Sequence, residues 1–411
     1  MSTPVTSASS ASTRRPSTVT MLLMVGSLMT MAALATDVML PAFPTMAEEL
    51  GVSSAAIQRV MTVFMIGYAL PHLLVGSAAD QYGRRPVLIT GLVVYAIGSV
   101  VCLVADGFTG LLIGRFIQGL GCAAGSVLAR AVLRDLYSGR ELGRMLSFAM
   151  IVFTAAPLLA PSIGALLLQL GDWHLLFIFL LIVAGLMLVM VLRMLPETLR
   201  HFDPNALSLK GLRLNASRLF SNPRSAWSIV VLTLIYGCLM AYLASTPTIF
   251  IEHYGLSETQ FGLVFASIAA ISFLSQPLNA RLLTSFTPVQ ILRVVLPLFL
   301  IVCLALVIQT ATGADTIWSF AVNFMAFFAC FSITMANTMS MVLEPHQERA
   351  GMAAGISGFG QLGVGTLIGS VIAYFATGGP FALALGIVIL IALAVPAFFM
   401  AARAYSRIGI S

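Results

Sequence analysis

The chain has 411 residues, of which 59% are hydrophobic and only 9% are charged, and its mean hydropathy is +1.01. Soluble chains carry about a quarter charged residues, so this composition excludes an ordinary soluble domain. The net charge of +6 does not indicate a nucleic-acid partner. The basic residues occupy short connections beside apolar segments, where they meet lipid headgroups and set the orientation of the chain.

Apolar runs of about 20 residues recur along the chain, and each is long enough to cross the hydrocarbon core of a bilayer as a helix. The predicted fold class is an all-α integral membrane protein with two six-helix, pseudo-symmetric bundles. We predict twelve membrane-spanning helices, at about 18–42, 55–78, 87–105, 108–130, 145–169, 173–195, 226–250, 259–283, 290–312, 316–342, 351–375 and 380–403.

The first apolar run also imitates a secretory signal peptide, with Arg14 and Arg15 before it and the segment Ala33-Leu34-Ala35 as a cleavage-like site. A first membrane helix is the favoured interpretation, because eleven further spans follow and the run continues to Pro41.

The distribution of positive charge predicts the topology. Of the 21 Lys and Arg residues, all but Arg59 and Arg115 fall on one side of the membrane if the chain crosses it twelve times. Positive residues concentrate in cytoplasmic loops, so both termini are predicted to be cytoplasmic. The predicted location is the bacterial inner membrane, and the lipid bilayer is a predicted partner. We predict a protein that crosses the membrane many times and is a monomer.

Polar stretches divide the chain into predicted units. These are a disordered cytoplasmic tail at 1–17, a first bundle at 18–195, a cytoplasmic linker at 196–225, a second bundle at 226–404 and a tail at 405–411. Paired bundles of this kind place a substrate site between them near the midplane of the membrane.

Cofactor and metal sites are not expected. The five cysteines lie singly inside apolar runs without a C-x-x-C pair, which favours a packing role. The segment from Gly358 to Gly363 matches G-x-G-x-x-G, but it lies within an apolar helix with no preceding strand, so it predicts close helix packing. No Walker A motif is present to indicate ATP-driven transport.

Two opposite charges lie inside predicted spans, and we predict that they couple transport to protons. Asp37 lies six residues before Phe43, and Arg115 lies seven residues after Phe108, so both are predicted to lie roughly 9–10 Å below the outer surface. Ionisable groups within the membrane are costly and generally functional. A static ion pair, or an Asp37 side chain that reaches outward to water, is the alternative.

Four uncharged polar residues are predicted to lie near mid-depth and to line an amphiphile-binding cavity: Tyr68, Gln118, Tyr236 and Gln361. Each could instead satisfy a neighbouring helix. His72 is a candidate proton carrier by its chemistry, but its position near the cytoplasmic end of helix two favours packing or hydrogen bonding.

The connection between helices two and three carries a motif. It predicts a gating turn made of Gly76, Asp80, Gly83, Arg84 and Arg85. With its pattern G-x-x-x-D-x-x-G-R-R/K, the chain resembles the major facilitator superfamily. Helix four matches the pattern R-x-x-q-G of that family from Arg115. Helix five resembles its antiporter motif, in which Pro161 and Gly164 are predicted gating residues and Ala160 and Ala165 replace common glycines.

Three more stretches, Thr36 to Ala42, Leu195 to Leu199 and Phe250 to Ser257, are similar to the Bcr/CflA subfamily of drug:proton antiporters. The resemblance implies proton-coupled export of chloramphenicol- or bicyclomycin-like small molecules by alternating access, without enzymatic activity. Export of an endogenous metabolite and proton-driven uptake remain alternatives. A membrane enzyme or a non-transporting sensor would need a catalytic cluster or a soluble output domain, which the sequence does not offer.

Overall fold

The computed structural model describes residues 18–137, 139–199, 202–204, 206–208, 217, 219–345, 350–376 and 379–406. The predicted N-terminal tail, part of the predicted linker and the end of the C-terminal tail lie outside these residues. The described part is helical and contains no strand. Its α-helices are α1 Thr18–Asp37, α2 Phe43–Glu49, α3 Ser54–Ile57, α4 Arg59–Tyr82, α5 Arg84–Leu103, α6 Phe108–Leu136, α7 Gly139–Leu170, α8 His174–Met194, α9 Pro223–Pro247, α10 Glu258–Leu282, α11 Pro288–Ala311, α12 Ile317–Leu343, α13 Ala350–Phe359, α14 Thr366–Phe375 and α15 Pro380–Ser406.

Two segments of π-helix extend this set. Thr248–His253 continues α9, and Gly360–Gly365 joins α13 to α14. Eleven described helical segments are long and apolar enough to cross a membrane, and α7 adds a shorter apolar segment, Ala155–Leu170. Many large apolar side chains point outward on these helices, as a lipid-facing surface requires.

The first span is longer than the sequence predicted. A short 3-10 helix, Leu40–Ala42, joins α1 to α2, and the span runs on to Glu49. Pro41 and Pro44 occupy first-turn positions, where a missing backbone N–H costs no helical hydrogen bond. Asp37 therefore precedes the end of the span by twelve residues, or about 18 Å of helix, instead of the predicted six.

Side-chain caps define several helix ends. Ser257, Thr287 and Thr316 each form a capping box at the start of α10, α11 and α12. Each box satisfies backbone N–H groups that the first helical turn leaves without partners. The starts of these three helices lie within two residues of the predicted starts.

The first six spans pack mainly on one another, and so do the last six. In the first half, α4 and α5 pack on α6, while α1 packs on α7. In the second half, α9 packs on α12, α14 and α15. The halves meet along two seams, one between α7 and α10 and one between α4 and the run α13–α14.

Three hydrogen-bonded pairs join the two halves near one end of the molecule. We name this end the Glu252 face, after a residue of the π-helical segment that continues α9, and the opposite end the Arg84 face. The pairs are Ser54–Glu252 at 2.9 Å, Gln169–Thr259 at 3.0 Å and Thr62–Ser370 at 2.6 Å. The Glu252 face, predicted to be the outer one, is held closed by these contacts.

The break between α1 and α2 depends on a glycine in α7. A Cβ atom at Gly164 would collide with the backbone carbonyl of Val38 and lie 3.1 Å from the ring of Pro41. Backbone cannot move aside as a flexible side chain does, so Gly164 permits the approach of α7 to the turn that follows Asp37. Pro161 is buried one turn earlier in the same helix.

We expect Gly164→Val to lower the melting temperature of the purified protein, because overpacking a tight contact costs ~1–3 kcal/mol. Gly185→Val in α8 is the matched control, since a Cβ there would meet no heavy atom within 4 Å. Scanning fluorimetry in detergent measures both. Equal melting temperatures for the two variants would contradict the packing argument.

Candidate functional site

Asp37 is the last residue of α1, and its side chain is buried beside the helix break. The hydroxyl of Thr36 donates a hydrogen bond of 2.8 Å to Asp37 Oδ1. The ion pairs found among the described residues do not include Asp37. The carboxyl group therefore lies in an apolar region with a hydroxyl as its hydrogen-bond donor and no cation beside it.

Arg115 is equally buried but is stabilised by other groups. Its guanidinium carbon lies 4.3 Å from the centre of the Phe64 ring, a cation–π contact between α6 and α4. Its Nη1 donates to Gln118 Oε1 at 2.5 Å, and its Nε donates to the carbonyl of Val60 at 3.4 Å. A ring face and two oxygen dipoles thus surround this charge.

A static ion pair between Asp37 and Arg115, which the sequence left open as an alternative, is not formed in this structure. Both positions had been placed at one depth by assuming that the first span ends near Phe43. The apolar helical segment instead continues to Glu49, so Asp37 lies twelve residues from its end, whereas Arg115 lies seven residues from the start of α6. Arg115 is stabilised by groups of α6 and α4, whereas Asp37 has the Thr36 hydroxyl as its hydrogen-bond donor.

Asp37 faces the second half of the molecule. The adjoining 3-10 helix packs on α9 and α10, and Asp37 lies within electrostatic range of Tyr236 and Tyr242 in α9. The hydroxyl of Tyr242 is buried and has no hydrogen-bond partner. Asp37 therefore occupies the junction between the halves, where their relative movement would change its surroundings.

Tyr242 was missed by the sequence analysis, although it follows the predicted Tyr236 on the same helix. Its ring lies 4.5 Å from that of Phe324, 5.1 Å from that of Phe328 and 6.1 Å from that of Phe265. This aromatic cluster gives the second half an apolar wall beside its free hydroxyl. The available signal in the sequence was a tyrosine within an apolar span. Only its contacts in the folded chain distinguish such a residue from one that serves packing alone.

The structure brings three of the four predicted cavity residues towards each other. Tyr68 and Tyr236 lie within electrostatic range across the two halves. Gln361 belongs to the π-helical segment, where its Nε2 is buried without a hydrogen-bond partner. A Cβ atom at Gly365, at the end of that segment, would lie 3.2 Å from the Tyr236 ring. π-Helical segments within α-helices are frequent at functional sites.

Gln118 does not join this group. Its Oε1 accepts the hydrogen bond from Arg115, and its Nε2 donates to Ser99 Oγ at 2.8 Å. Ser99 in turn donates to the carbonyl of Tyr95 at 2.9 Å. Both ends of the Gln118 amide are used inside the first half, in a chain that ties α5 to α6.

His72 follows Tyr68 by one turn of α4 and is hydrogen-bonded to it. Its Nδ1 lies 2.7 Å from the carbonyl oxygen of Tyr68, and its Nε2 lies 3.5 Å from Ser126 Oγ. A Cβ atom at Gly358 of α13 would lie 3.7 Å from the ring. His72 thus packs at the seam between α4 and α13, as the sequence analysis favoured.

At the Arg84 face, the guanidinium of Arg84 joins three elements. Its Nη2 lies 2.7 Å from Asp80 Oδ1 at the end of α4, and its Nε donates to Asp135 Oδ2 of α6 at 3.2 Å. Thr198 donates to the same Asp135 oxygen at 3.1 Å. The partner of Asp80 in this structure is Arg84, four residues later in the chain and at the start of α5.

Glu197 completes this network and was not assigned a role from the sequence. Its carboxylate accepts the backbone N–H groups of Arg84 at 2.9 Å and of Arg85 at 3.1 Å. These groups form the positive N-terminus of α5, where an anion is favoured. Gly83, at φ 102°, makes the turn that aims them, and a Cβ there would lie 2.5 Å from Glu197 Oε2.

The two other predicted gating residues of this turn, Arg85 and Gly76, have different surroundings. Arg85 Nη2 donates to the carbonyl of Leu192 in α8 at 2.8 Å. A Cβ atom at Gly76 would meet no heavy atom within 4 Å, so no close approach requires a glycine there in this structure.

Comparison with known proteins gives the family. Residues 25–370 match the sequence profile of the Major Facilitator Superfamily. The chain is 28% identical over 360 residues to a "Bicyclomycin resistance protein homolog" of Haemophilus influenzae, covering 88% of this chain and 90% of that one. It is 30% identical over 331 residues to "Multidrug resistance protein MdtL" of Klebsiella pneumoniae, covering 79% and 81%.

Solved structures show the same fold. A D-xylose–proton symporter superimposes with a TM-score of 0.71 at 17% identity, covering 93% of this chain and 96% of that one. A bacterial homologue of the human lysosomal transporter Spinster, in an inward-facing and unoccupied conformation, superimposes with a TM-score of 0.73 at 16% identity, covering 95% and 98%. The predicted all-α membrane fold and the predicted family are confirmed: the chain is a multi-pass membrane transporter of the Major Facilitator Superfamily.

Proposed function

We propose that this protein exports small amphiphilic drugs, such as chloramphenicol- or bicyclomycin-like compounds, in exchange for protons across the bacterial inner membrane. The names of the two drug-resistance relatives support the cargo. The one-sided distribution of Lys and Arg supports cytoplasmic termini, so the Glu252 face is the outer one. In this proposal the transporter works as a monomer.

The observation that carries the proposal is the environment of Asp37. An ionised carboxylate without a cation in an apolar region is costly, so the closed Glu252 face favours the protonated form. Opening that face would hydrate the carboxyl and lower the cost of its charge. Protonation of Asp37 and closure of the outer face thus favour each other, which is the linkage that proton exchange needs.

Arg115 keeps a place in the proposal as the second coupling residue. Its contacts with Phe64 and Gln118 hold α6 against α4. When drug enters from the cytoplasm and Asp37 releases its proton to that side, the positive field of Arg115 would favour the resulting carboxylate. The same contacts would then keep the guanidinium fixed while α1 moves.

Asp37→Asn should abolish drug-driven proton release from proteoliposomes, because an amide binds no exchangeable proton at physiological pH. A pH-sensitive dye inside the vesicles measures the release. Asp106→Asn is the control, since Asp106 is an exposed acid in the loop between α5 and α6. Proton release by Asp37→Asn at the wild-type rate would remove Asp37 from the coupling mechanism.

The Arg84 network supports a role in gating. It ties the Arg84 face of the first half together through α4, α5 and α6. In the proposed cycle, the network holds this end of the half rigid while the opposite half approaches it in the outward-facing state. Asp80 serves in this network through Arg84, and Glu197 serves through the N-terminus of α5.

We expect Asp80→Asn and Glu197→Gln each to reduce drug export with little loss of drug binding, because both neutralise an anion of this network. Export from inverted vesicles and equilibrium drug binding are measured at matched expression. Glu141→Gln, which alters an exposed acid at the start of α7 on the same face, should behave as wild type. Wild-type export by both network variants would refute the gating role.

The predicted cargo is neutral or zwitterionic. Tyr242 and Gln361 offer unpaired polar groups beside the aromatic cluster of the second half. Asp37 is the only buried acid among the residues that the structure describes. A dedicated exporter of divalent cations would need further acids to hold the cargo and a proton together.

Chloramphenicol should therefore be exported better than a quaternary dication by the same vesicles. Binding would rest on ring contacts and a few hydrogen bonds, so it should be of modest affinity. Strong export of the dication without export of the phenicol would contradict this specificity. Transport of neither compound, with proton movement driven by an extract of cellular metabolites, would favour the endogenous-metabolite alternative.

A further inference from the structure

A groove of about 370 Å³ opens between α4 and α14 at the Glu252 face, outside the central junction. Its walls come from both halves of the molecule, and the hydrogen bond between Thr62 and Ser370 crosses it. Neither the proton pathway nor the drug site proposed above uses this groove.

The polar end of the groove is positively charged. Arg59 is the first residue of α4, its side chain is exposed, and it forms none of the ion pairs found among the described residues. With Arg115, it is also one of the two exceptions to the one-sided distribution of basic residues. Beside it, Gln58 lines the groove with only 4% of its surface exposed, and its Nε2 has no hydrogen-bond partner.

The remaining wall is apolar and faces the bilayer. Leu367 and Val371 lie on the exposed side of α14, with 49% and 59% of their surfaces accessible. Tyr374 and Phe375, both exposed, end the helix near the level of Arg59, with ring centres 5.4 Å apart. Aromatic side chains at this level are typical of the interface between hydrocarbon and headgroups.

We propose that this groove binds an anionic glycerophospholipid of the leaflet at the Glu252 face. The phosphodiester lies against Arg59, with Gln58 as a further donor, and an acyl chain follows Leu367 and Val371 along α14. A cation at the membrane surface above an apolar, lipid-facing wall matches the two parts of such a molecule. Free phosphate would leave the apolar wall without a partner, which is why the lipid is the proposed ligand.

The bound lipid would bridge the two halves. Because the groove combines α4 of the first half with α14 of the second, separation of the halves at this face would divide the site. The lipid therefore favours the closed Glu252 face, and it links membrane composition to the transport cycle.

The test is native mass spectrometry of the full chain, purified in detergent and titrated with phosphatidylglycerol or phosphatidylcholine. We expect phosphatidylglycerol to bind more tightly, and Arg59→Gln to weaken it by about fivefold, as expected for roughly 1 kcal/mol per basic residue near an anionic surface. Arg293→Gln is the matched control, because Arg293 is an exposed arginine at the opposite face. Inorganic phosphate should not displace the lipid.

A second variant separates a built site from general attraction of charge. Val371→Trp keeps Arg59 but fills the apolar wall, so it should also weaken phosphatidylglycerol binding. Equal binding of the two lipids, wild-type binding by Arg59→Gln or by Val371→Trp, or an equal loss in Arg293→Gln would overturn the proposal. Displacement by inorganic phosphate would show an anion site without lipid selectivity and would overturn it as well.

Discussion

The coupling mechanism depends on the burial of one carboxyl group, with no cation beside it, at the place where the two halves of the transporter meet. Asp37 ends α1, and Thr36 supplies its hydrogen bond. Gly164 allows α7 to approach the turn that follows. An acid in this position is stable as a neutral group and costly as an anion, so its charge state and the separation of the halves depend on each other. The closed Glu252 face seen here fits the neutral form.

Arg115 is also a buried ionisable group, but it is stabilised in its charged form. A guanidinium is protonated at all physiological pH values, so its charge has to be stabilised in every state of the cycle. Phe64 and Gln118 provide that stabilisation inside the first half. The Arg84 network likewise stabilises the charges at the Arg84 face. Glu197 and Asp135, both in the first half, accept the hydrogen bonds from Arg84. Such rigid halves leave their common interface as the place where the structure can change.

The sequence was sufficient to predict the fold and most helix positions, because runs of apolar residues encode membrane-spanning helices directly. The family was predicted from the resemblance of its motifs, above all the turn from Gly76 to Arg85. It ended the first helical segment too early because the proline-rich stretch after Asp37 is typical of a helix end, whereas Pro41 and Pro44 begin new helical turns. It also grouped Gln118 with the cavity, since helical spacing gives a residue's face but not its hydrogen-bond partners. Glu197 lies far from Arg84 in sequence, so only the folded chain reveals their contact.

The most direct test of the account is the distance between the two halves at the Glu252 face as a function of pH. Spin labels at Leu170 and Ala314, which are exposed near this face in the two halves, report that distance by double electron–electron resonance. The five native cysteines are buried and should not compete for the label. The account predicts that raising the pH lengthens the distance in the wild type, since the ionised Asp37 favours hydration, and that Asp37→Asn keeps it short at every pH. A pH-dependent lengthening that persists unchanged in Asp37→Asn would contradict the account.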